Sequence, residues 1–289
     1  MTGFAQPRRL AHLGPRGTYT EAAAIAHDPS ADLVPGASVA AAIAAVRAGE
    51  ADGAVCAIEN SIEGGVTETL DQLLQDDFAF RIAAEVVLPI RHALVGPAGL
   101  ELRAATVVYS HPQALAQCRK RLSELAPAAR PVAALSTAAA IVSALREHGA
   151  LAVGNALAAD LYGATVYEDD IADAPGNETR FVVVGHADAP PSGDDKTSIA
   201  FTTHHDRPGS LVEVLRAFSE RGINLTHIES RPTRRQLGTY VFLVDVQGHR
   251  SEAGLAEALA EIERETLWLR VFGSYPRWQG PRPAPRAED

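Results

Sequence analysis

Lysine and cysteine are almost missing from this chain of 289 residues, and each scarcity removes a class of chemistry. The two lysines, Lys120 and Lys196, follow no glycine-rich turn of the kind that cradles a nucleoside triphosphate. Lys120 stands in an Arg-Lys-Arg run and Lys196 in a polar stretch, neither of them the apolar setting of a Schiff-base amine, so pyridoxal chemistry is not expected. Cys56 and Cys118 lie far apart among aliphatic neighbours, which leaves no disulfide framework and no pair of metal-binding thiols, and fits a reducing compartment. His204 and His205 are adjacent rather than spaced as helix ligands, so no metal site is expected there. Basic residues number 26 against 36 acidic ones, and the net charge of −10 argues against nucleic acid or an anionic membrane as partner. Uncharged runs such as 33–46 are shorter than the ~20 residues of a spanning helix, and the first ten residues lack the apolar stretch of a signal peptide. A cytoplasmic protein is expected.

What is present is a globular composition, 46% hydrophobic and 21% charged, in a chain long enough for two domains. From residue 10 to about 185, short apolar runs alternate with helical patterns, the mark of an α/β unit with a mainly parallel sheet. Gly14-Pro15-Arg16-Gly17 is a turn, and Thr18 with Glu21 has the spacing of a capping box that opens an alanine-rich helix. Ser38 caps a second helix and 54–58 is a strand, whereas 82–95 lacks helical spacing and reads as extended connections. A strand over 107–109, units near 132–135 and 151–153, and a closing strand over 180–185 follow. The polar stretch 187–195 reads as a linker. Beyond it the order is βαββαβ, a ferredoxin-like arrangement, and the Pro- and Arg-rich tail is expected to be disordered.

Polar residues at strand ends are the site candidates, because helix N-termini and loops converge there in open α/β sheets. The first is the Gly14–Glu21 turn, whose helix amides suit a carboxylate or phosphate, although an ordinary capped helix has the same pattern. The second is Glu59-Asn60-Ser61 with Glu63-Gly64-Gly65 after a buried strand. The third is Ser110-His111-Pro112-Gln113, with Gln117 one helical turn beyond Gln113. Adjacent Ser and His seldom align as nucleophile and base, and no Gly-x-Ser-x-Gly elbow is present, so a serine hydrolase is disfavoured. The fourth is Asn177-Glu178-Thr179-Arg180, where Thr179 offers a hydroxyl and Arg180 a carboxylate partner. In the C-terminal part, Arg207-Pro208-Gly209-Ser210-Leu211 opens a helix, and Asn224 and Glu229-Ser230-Arg231-Pro232 lie on the next strand, a pattern able to hold an amino acid or to dimerise. An RNA-binding reading of βαββαβ fails for want of stacking aromatics and positive charge.

Leu13-Gly14-Pro15-Arg16-Gly17-Thr18-Tyr19-Thr20-Glu21, Ile58-Glu59-Asn60-Ser61, Ser110-His111-Pro112-Gln113-Ala114-Leu115, Thr179-Arg180-Phe181 and Gly222-Ile223-Asn224-Leu225-Thr226 with Glu229-Ser230-Arg231-Pro232 resemble, in order, the prephenate dehydratase family with its C-terminal ACT domain. The resemblance spans residues 10 to 276. It implies a two-lobed, periplasmic-binding-protein-like catalytic domain over 8–187, with the site in the cleft, a linker over 188–196, an ACT domain over 197–276 and a disordered tail over 277–289. It implies conversion of prephenate to phenylpyruvate with loss of water and carbon dioxide, without cofactor or metal. Thr179 matches the family's essential threonine, and Asn60, Ser110 and Gln117 match further binding or catalytic positions. Thr18, Ser61, His111 and Arg180 complete the expected substrate set. Gly209, Ser210, Leu211, Asn224, Glu229, Ser230 and Arg231 are the expected phenylalanine site, in a homodimer or homotetramer. Tyr19, Thr20, Ala57 and Ser210 depart from the commonest family residues. About a dozen residues precede the first motif, too few for the mutase domain of bifunctional relatives, so a monofunctional enzyme is implied. Arogenate dehydratase, a non-catalytic amino-acid-binding protein and a ferredoxin-like scaffold that only dimerises are the alternatives.

Overall fold

The computed structural model describes residues 8–203, 208–233 and 238–280. The expectations for His204, His205, Arg207 and 281–289 therefore lie outside the described residues. The chain forms two compact units, one of residues 8–68 and 87–181, the other of 69–86 and 182–280.

The first unit opens with β1 (Arg9–Leu13), α1 (Tyr19–His27), β2 (Asp32–Gly36), α2 (Val39–Arg47) and β3 (Gly53–Asn60). Strands β2 and β3 flank β1 in parallel, and α1 and α2 pack on β1 and β3 through Ala23, Ala24, Ala42, Ile43 and Val46. Small side chains on α1 let the helix lie close to the sheet. Ser38 accepts the Ala41 N–H as a helix cap, and the next orphan donor of α2, Val39 N–H, goes to Glu68 Oε1 at 3.0 Å. After the two-residue β4 (Gly64–Gly65) and α3 (Thr67–Leu73), the extended run is a pair of strands, β5 (Arg81–Pro89) and β6 (Ala93–Gly96).

β6 starts a second sheet, continued by β7 (Val107–Ser110), α4 (Pro112–Gln117), α5 (Arg119–Leu125), β8 (Arg130–Ala133), α6 (Thr137–Ala144), β9 (Ala150–Gly154), α7 (Ala156–Tyr162) and β10 (Thr165–Glu168). Its order is β10-β6-β9-β7-β8. Alternate residues of these strands serve two cores. Ala93, Val95, Val107, Ala150 and Ala152 pack with α6 and α7, while Leu94, Val108, Leu151 and Val153 pack with Ala114, Cys118, Leu122 and Ile171. The single mainly parallel sheet expected from the alternation is corrected. There are two sheets, and β6 runs antiparallel to both β9 and β10. The chain passes between them at 90–92 and again at 169–177, before β11 (Glu178–Gly185) rejoins the first sheet in the order β2-β1-β3-β11-β5. The two crossovers are tied together: Ile90 N–H donates to Asn177 O and Ile171 N–H to His92 O, both at 2.8 Å. A second tie joins the lobes at the glycine turn, where Asn155 caps α7 and donates from Nδ2 to Gly17 O at 2.8 Å. Gly17 has φ +84°, and a Cβ there would sit 2.8 Å from that of Ala158, so glycine is required on both counts.

The second unit contains β12 (Asp195–Thr203), α8 (Ser210–Ser219), β13 (Leu225–Pro232), β14 (Tyr240–Gln247), α9 (Ala253–Glu265) and β15 (Thr266–Pro276). The sheet order β13-β14-β12-β15, antiparallel throughout, is the expected ferredoxin-like βαββαβ. Ile199, Phe201, Val244 and Val246 face α8 and α9. Residues 69–86 belong to this unit as well. Glu85, fully buried, pairs with Lys196 Nζ at 2.7 Å, Arg231 Nη2 pairs with Asp71 at 3.0 Å, and Phe78 meets the ring edge of Phe272. Two boundary expectations are corrected. Asp195 and Lys196, assigned to the linker, begin β12, and residues 277–280 of the tail are held by Arg277 N–H on Asp194 O and Trp278 N–H on Glu85 Oε1. No described helix is long and apolar enough to cross a membrane.

Candidate active site

Asn60 stands at the end of β3, where the sheet delivers its side chain to the start of β11. Its Oδ1 accepts the main-chain N–H groups of Ile62 and Glu63 at 3.0 and 3.1 Å, which fixes which side of the amide carries hydrogen. Nδ2 therefore faces Asn177 Oδ1 at 2.7 Å, Thr179 Oγ1 at 2.9 Å and Glu178 O at 3.0 Å. A hydroxyl that accepts from an amide keeps its own proton to give. Thr179 is buried, and that proton has no acceptor among the described residues.

The chain of side chains continues into the other lobe. Asn177 Nδ2 donates to Gln117 Oε1 at 2.9 Å, His92 Nε2 lies 3.0 Å from the same oxygen, and Gln117 Nε2 reaches Glu63 Oε1 at 3.3 Å. Gln117 ends α4, whose first turn is set by Pro112, so the helix brings an amide from the second sheet to loops of the first. Ser61 flanks the group: its Oγ accepts Glu178 N–H at 2.9 Å.

The structure thus brings Asn60, Ser61, Gln117 and Thr179 together. Arg180 lies beside them but is nine-tenths buried, with Nε on Glu59 Oε2 at 2.9 Å. Thr18 and Ser110 have partners of their own. Thr18 spends its hydroxyl on the helix start, accepting Glu21 N–H at 3.2 Å and donating to Leu13 O at 2.9 Å, while Glu21 takes the Gly17 N–H. Ser110 has no exposed surface, and its Oγ donates to Val153 O at 2.6 Å, binding β7 to β9. That geometry also removes Ser110 and His111 as a nucleophile–base pair. His111 is half-buried at the start of α4, and burial lowers its pKa, so the ring is neutral at pH 7. Burial pushes both thiols, Cys56 and Cys118, up to about 12, which makes neither a nucleophile.

Two members of the group were missed. Asn177 was visible as a polar residue before the closing strand but without a stated role. His92 gave one signal, a ring inside the apolar run Ile90-Arg91-His92-Ala93-Leu94 where an extended segment re-enters a sheet. In the second unit, Gly209 (φ +95°) is the N-cap of α8, Ser210 opens that helix, and Leu211 packs on its core. Asn224 and Ser230 are exposed, Glu229 and Arg231 half-buried on and before β13.

The fold and this group of polar side chains define a class: a two-lobed α/β protein with a polar candidate site at the lobe crossovers and a ferredoxin-like domain appended. Comparison makes it particular. Residues 10–189 match the prephenate dehydratase family and residues 197–264 the ACT domain. A prephenate dehydratase of Mycobacterium sp. (strain JLS) is 40% identical over 282 residues, 93% of this chain and 89% of that one. Among solved structures, the prephenate dehydratase of Arthrobacter aurescens in complex with L-Phe superimposes with a TM-score of 0.85 at 40% identity, covering 93% of this chain and 90% of its own. GqqA, described as a novel type of quorum quenching acylase, superimposes at 0.82 with 32% identity, covering 94% and 99%. The chain belongs to the prephenate dehydratase family.

Proposed function

We propose that the chain converts prephenate to phenylpyruvate at the Asn60–Gln117–Thr179 cluster and is feedback-regulated by phenylalanine through its ACT domain. The bond from ring to carboxylate breaks and releases carbon dioxide. Its electron pair enters the ring as the 4-hydroxyl departs, taking one proton to leave as water, and the ring becomes aromatic. The gain in aromaticity drives the step, so the protein's task is to hold the substrate dry and to stabilise the leaving oxygen. The observation that carries this reading is the unspent proton of Thr179, whose oxygen accepts from Asn60. Thr179 donates a hydrogen bond to the leaving hydroxyl, but a threonine is too weak an acid to protonate it, and water or His111 feeds the proton. Asn60, Ser61, His111 and Gln117 line the substrate, and Arg180 receives a carboxylate while sharing its guanidinium with Glu59.

Catalytic residues 8–187, a linker over 188–194 and a regulatory domain over 195–276 form the functional division. Phenylalanine binds at Gly209, Ser210, Leu211, Asn224, Glu229, Ser230 and Arg231 between ACT domains of paired subunits, in a homodimer or homotetramer in the cytoplasm. Support comes from the ACT match and from the L-Phe complex of the Arthrobacter relative.

The test is turnover of prephenate to phenylpyruvate by the full chain, with and without phenylalanine, and with arogenate and an acylated amine as competing substrates. Higher kcat/KM for arogenate would reassign the substrate, and cleavage of the acylated amine alone would move the chain to the acylase. Thr179→Ala is expected to lower kcat by about 10²-fold or more, and unchanged turnover overturns its role.

A further inference from the structure

We propose that Asp173, an exposed residue of the second crossover, is a positioning residue for the dehydration: it breaks the helical run 112–125 at Gln117 and holds the main chain there, which sets where the Gln117 amide lies. The inference rests on the dehydratase reading of the cluster, in which Gln117 lines the substrate.

The argument follows the helical hydrogen bonds. No proline or glycine falls between Gln113 and Leu125, so nothing in that stretch stops a helix. A continuous helix would send the Lys120 N–H to Ala116 O and the Arg121 N–H to Gln117 O. Instead α4 ends at Gln117 and α5 begins at Arg119, with Cys118 between them at φ −114°, ψ 11°. Lys120 N–H donates to Asp173 Oδ2 at 2.9 Å and Arg121 N–H to Asp173 Oδ1 at 3.1 Å. Gln117 O, given up by Arg121, accepts the N–H of Asp173 itself at 2.7 Å. One residue of the crossover thus replaces both partners of the 117–121 bond. Helices kink where a side chain enters this ladder, and a carboxylate suits the positive end of the helix that restarts.

The same short segment holds Gln117 at a second point. Asn177, four residues beyond Asp173, donates from Nδ2 to Gln117 Oε1 at 2.9 Å, and Ile171, two residues before it, lies in the buried cluster with Cys118 and Leu122. Gln117 is therefore gripped at its carbonyl by Asp173 and at its amide by Asn177, with Nε2 left toward Glu63 Oε1 at 3.3 Å. Without the Asp173 carboxylate, the Lys120 and Arg121 N–H groups turn back to Ala116 O and Gln117 O, the joint straightens, and the Gln117 amide leaves its place between Asn177 and Glu63. Asp173 belongs to none of the buried clusters, so its replacement leaves the packing intact.

The experiment uses the full chain with Asp173→Ala, which removes both acceptor oxygens, Asp173→Asn, which keeps one, and each of them in the Gln117→Ala background. Measured are kcat and KM with prephenate, melting temperature, and exchange of the residue-173 and Leu122 amide hydrogens by NMR. In Asp173→Ala, kcat/KM is expected to fall by about tenfold or more, divided between kcat and KM as it is in Gln117→Ala. Asp173→Asn is expected to lose about two- to threefold, since asparagine still caps a helix. Neither substitution should add much loss in the Gln117→Ala background. The residue-173 amide should exchange slowly in the wild type and much faster in Asp173→Ala, while Leu122, bonded to Cys118 O, stays protected. Wild-type kcat/KM in Asp173→Ala, a division unlike that of Gln117→Ala, equal losses in the two Asp173 variants, or an undiminished loss in the Gln117→Ala background overturns the proposal; the last is what a residue that only stabilises α5 would give. If Asp173→Ala fails to fold, Asp173→Asn decides it, because its loss must vanish in the Gln117→Ala background. Wild-type protein inert toward prephenate defeats the dehydratase reading instead, and the residue-173 amide then still reports whether the joint is held.

Discussion

Asn60→Asp tests the site most sharply, because it changes the polarity of one atom while moving almost nothing. Nδ2 of Asn60 faces three oxygens, at 2.7, 2.9 and 3.0 Å. An aspartate leaves the other oxygen, which anchors the Ile62 and Glu63 N–H groups, in place and turns the donor into a second acceptor. Of the three oxygens it then faces, Thr179 Oγ1 alone carries a proton, so Thr179 turns its O–H inward onto the new carboxylate and withdraws it from the leaving group. Loss of one preorganised donor corresponds to about 10²- to 10³-fold in kcat, or ~3–4 kcal/mol. Asn177 Oδ1 loses its donor at the same time, at about 1–3 kcal/mol of stability, while Glu178 O keeps the Ser61 N–H. Asn60→Ala, by contrast, frees the Thr179 hydroxyl to rotate and gives up the loop anchor, so a smaller loss of roughly tenfold in kcat is expected, since the outward donor survives. The assay is steady-state release of phenylpyruvate, with circular dichroism to confirm folding. The reasoning predicts the order wild type, Asn60→Ala, Asn60→Asp. Asn60→Asp within threefold of wild type, or Asn60→Ala slower than Asn60→Asp, would refute it.

Three further outcomes follow from the interior. Glu85→Gln leaves Lys196 buried without its counter-charge and should cost about 3–5 kcal/mol in urea unfolding, most of it regained in Glu85→Met with Lys196→Met; a loss under ~1 kcal/mol would show that the pair is solvated. Gly273→Ala should destabilise the second unit by about 3 kcal/mol or more, because the new Cβ would overlap Ile82 O and lie 2.7 Å from Ile82 N, both main-chain atoms that cannot swing aside; an unchanged melting temperature counts against this packing. His12 and His92 are buried with pKa values lowered by burial, so the unfolded chain binds protons that the folded chain refuses. Their contribution is present above about pH 6.5 and is lost as pH falls toward the lowered values, by up to ~1.4 kcal/mol per pH unit for each. Urea midpoints measured from pH 7.5 to 5.5 should fall, less steeply in His92→Gln, and a rise on acidification is the contrary result.

Much of the architecture was legible because it repeats on a short period. The caps at Thr18 and Ser38 are local chemistry, and the structure places each where its spacing put it. The βαββαβ order was equally clear, since Ile199 and Phe201 alternate with polar Ser198 along one strand while Val214, Ala217 and Phe218 keep helical spacing. The split into two sheets was not visible in that pattern. β5 and β6 are separated by three residues, and nothing in 82–95 distinguishes a strand that continues a sheet from one that crosses to another. The membership of 69–86 in the second unit was hidden for a related reason: Glu85, Asp71 and Phe78 find their partners more than a hundred residues later.

The same division explains which members of the bonded cluster the sequence marks. Asn60 and Thr179 sit at strand ends, and Gln117 at the end of a helix that follows one, positions that the α/β rule marks in advance. Thr18 and Ser110 satisfy the same rule and are bonded within the fold, because a hydroxyl at a strand end is as able to cap a helix or tie two strands as to meet a ligand. The rule selects positions but is blind to polarity, and polarity decides here. Thr18 and Ser110 have spent their protons on carbonyls, whereas Thr179, accepting from Asn60, has not. His92 and Asn177 lie on the crossovers, where no period operates, and each is bonded to the amide next to it. Such residues become recognisable only when donors and acceptors are assigned across the lobes, since a single turned amide would leave two like atoms within 3 Å at a buried point.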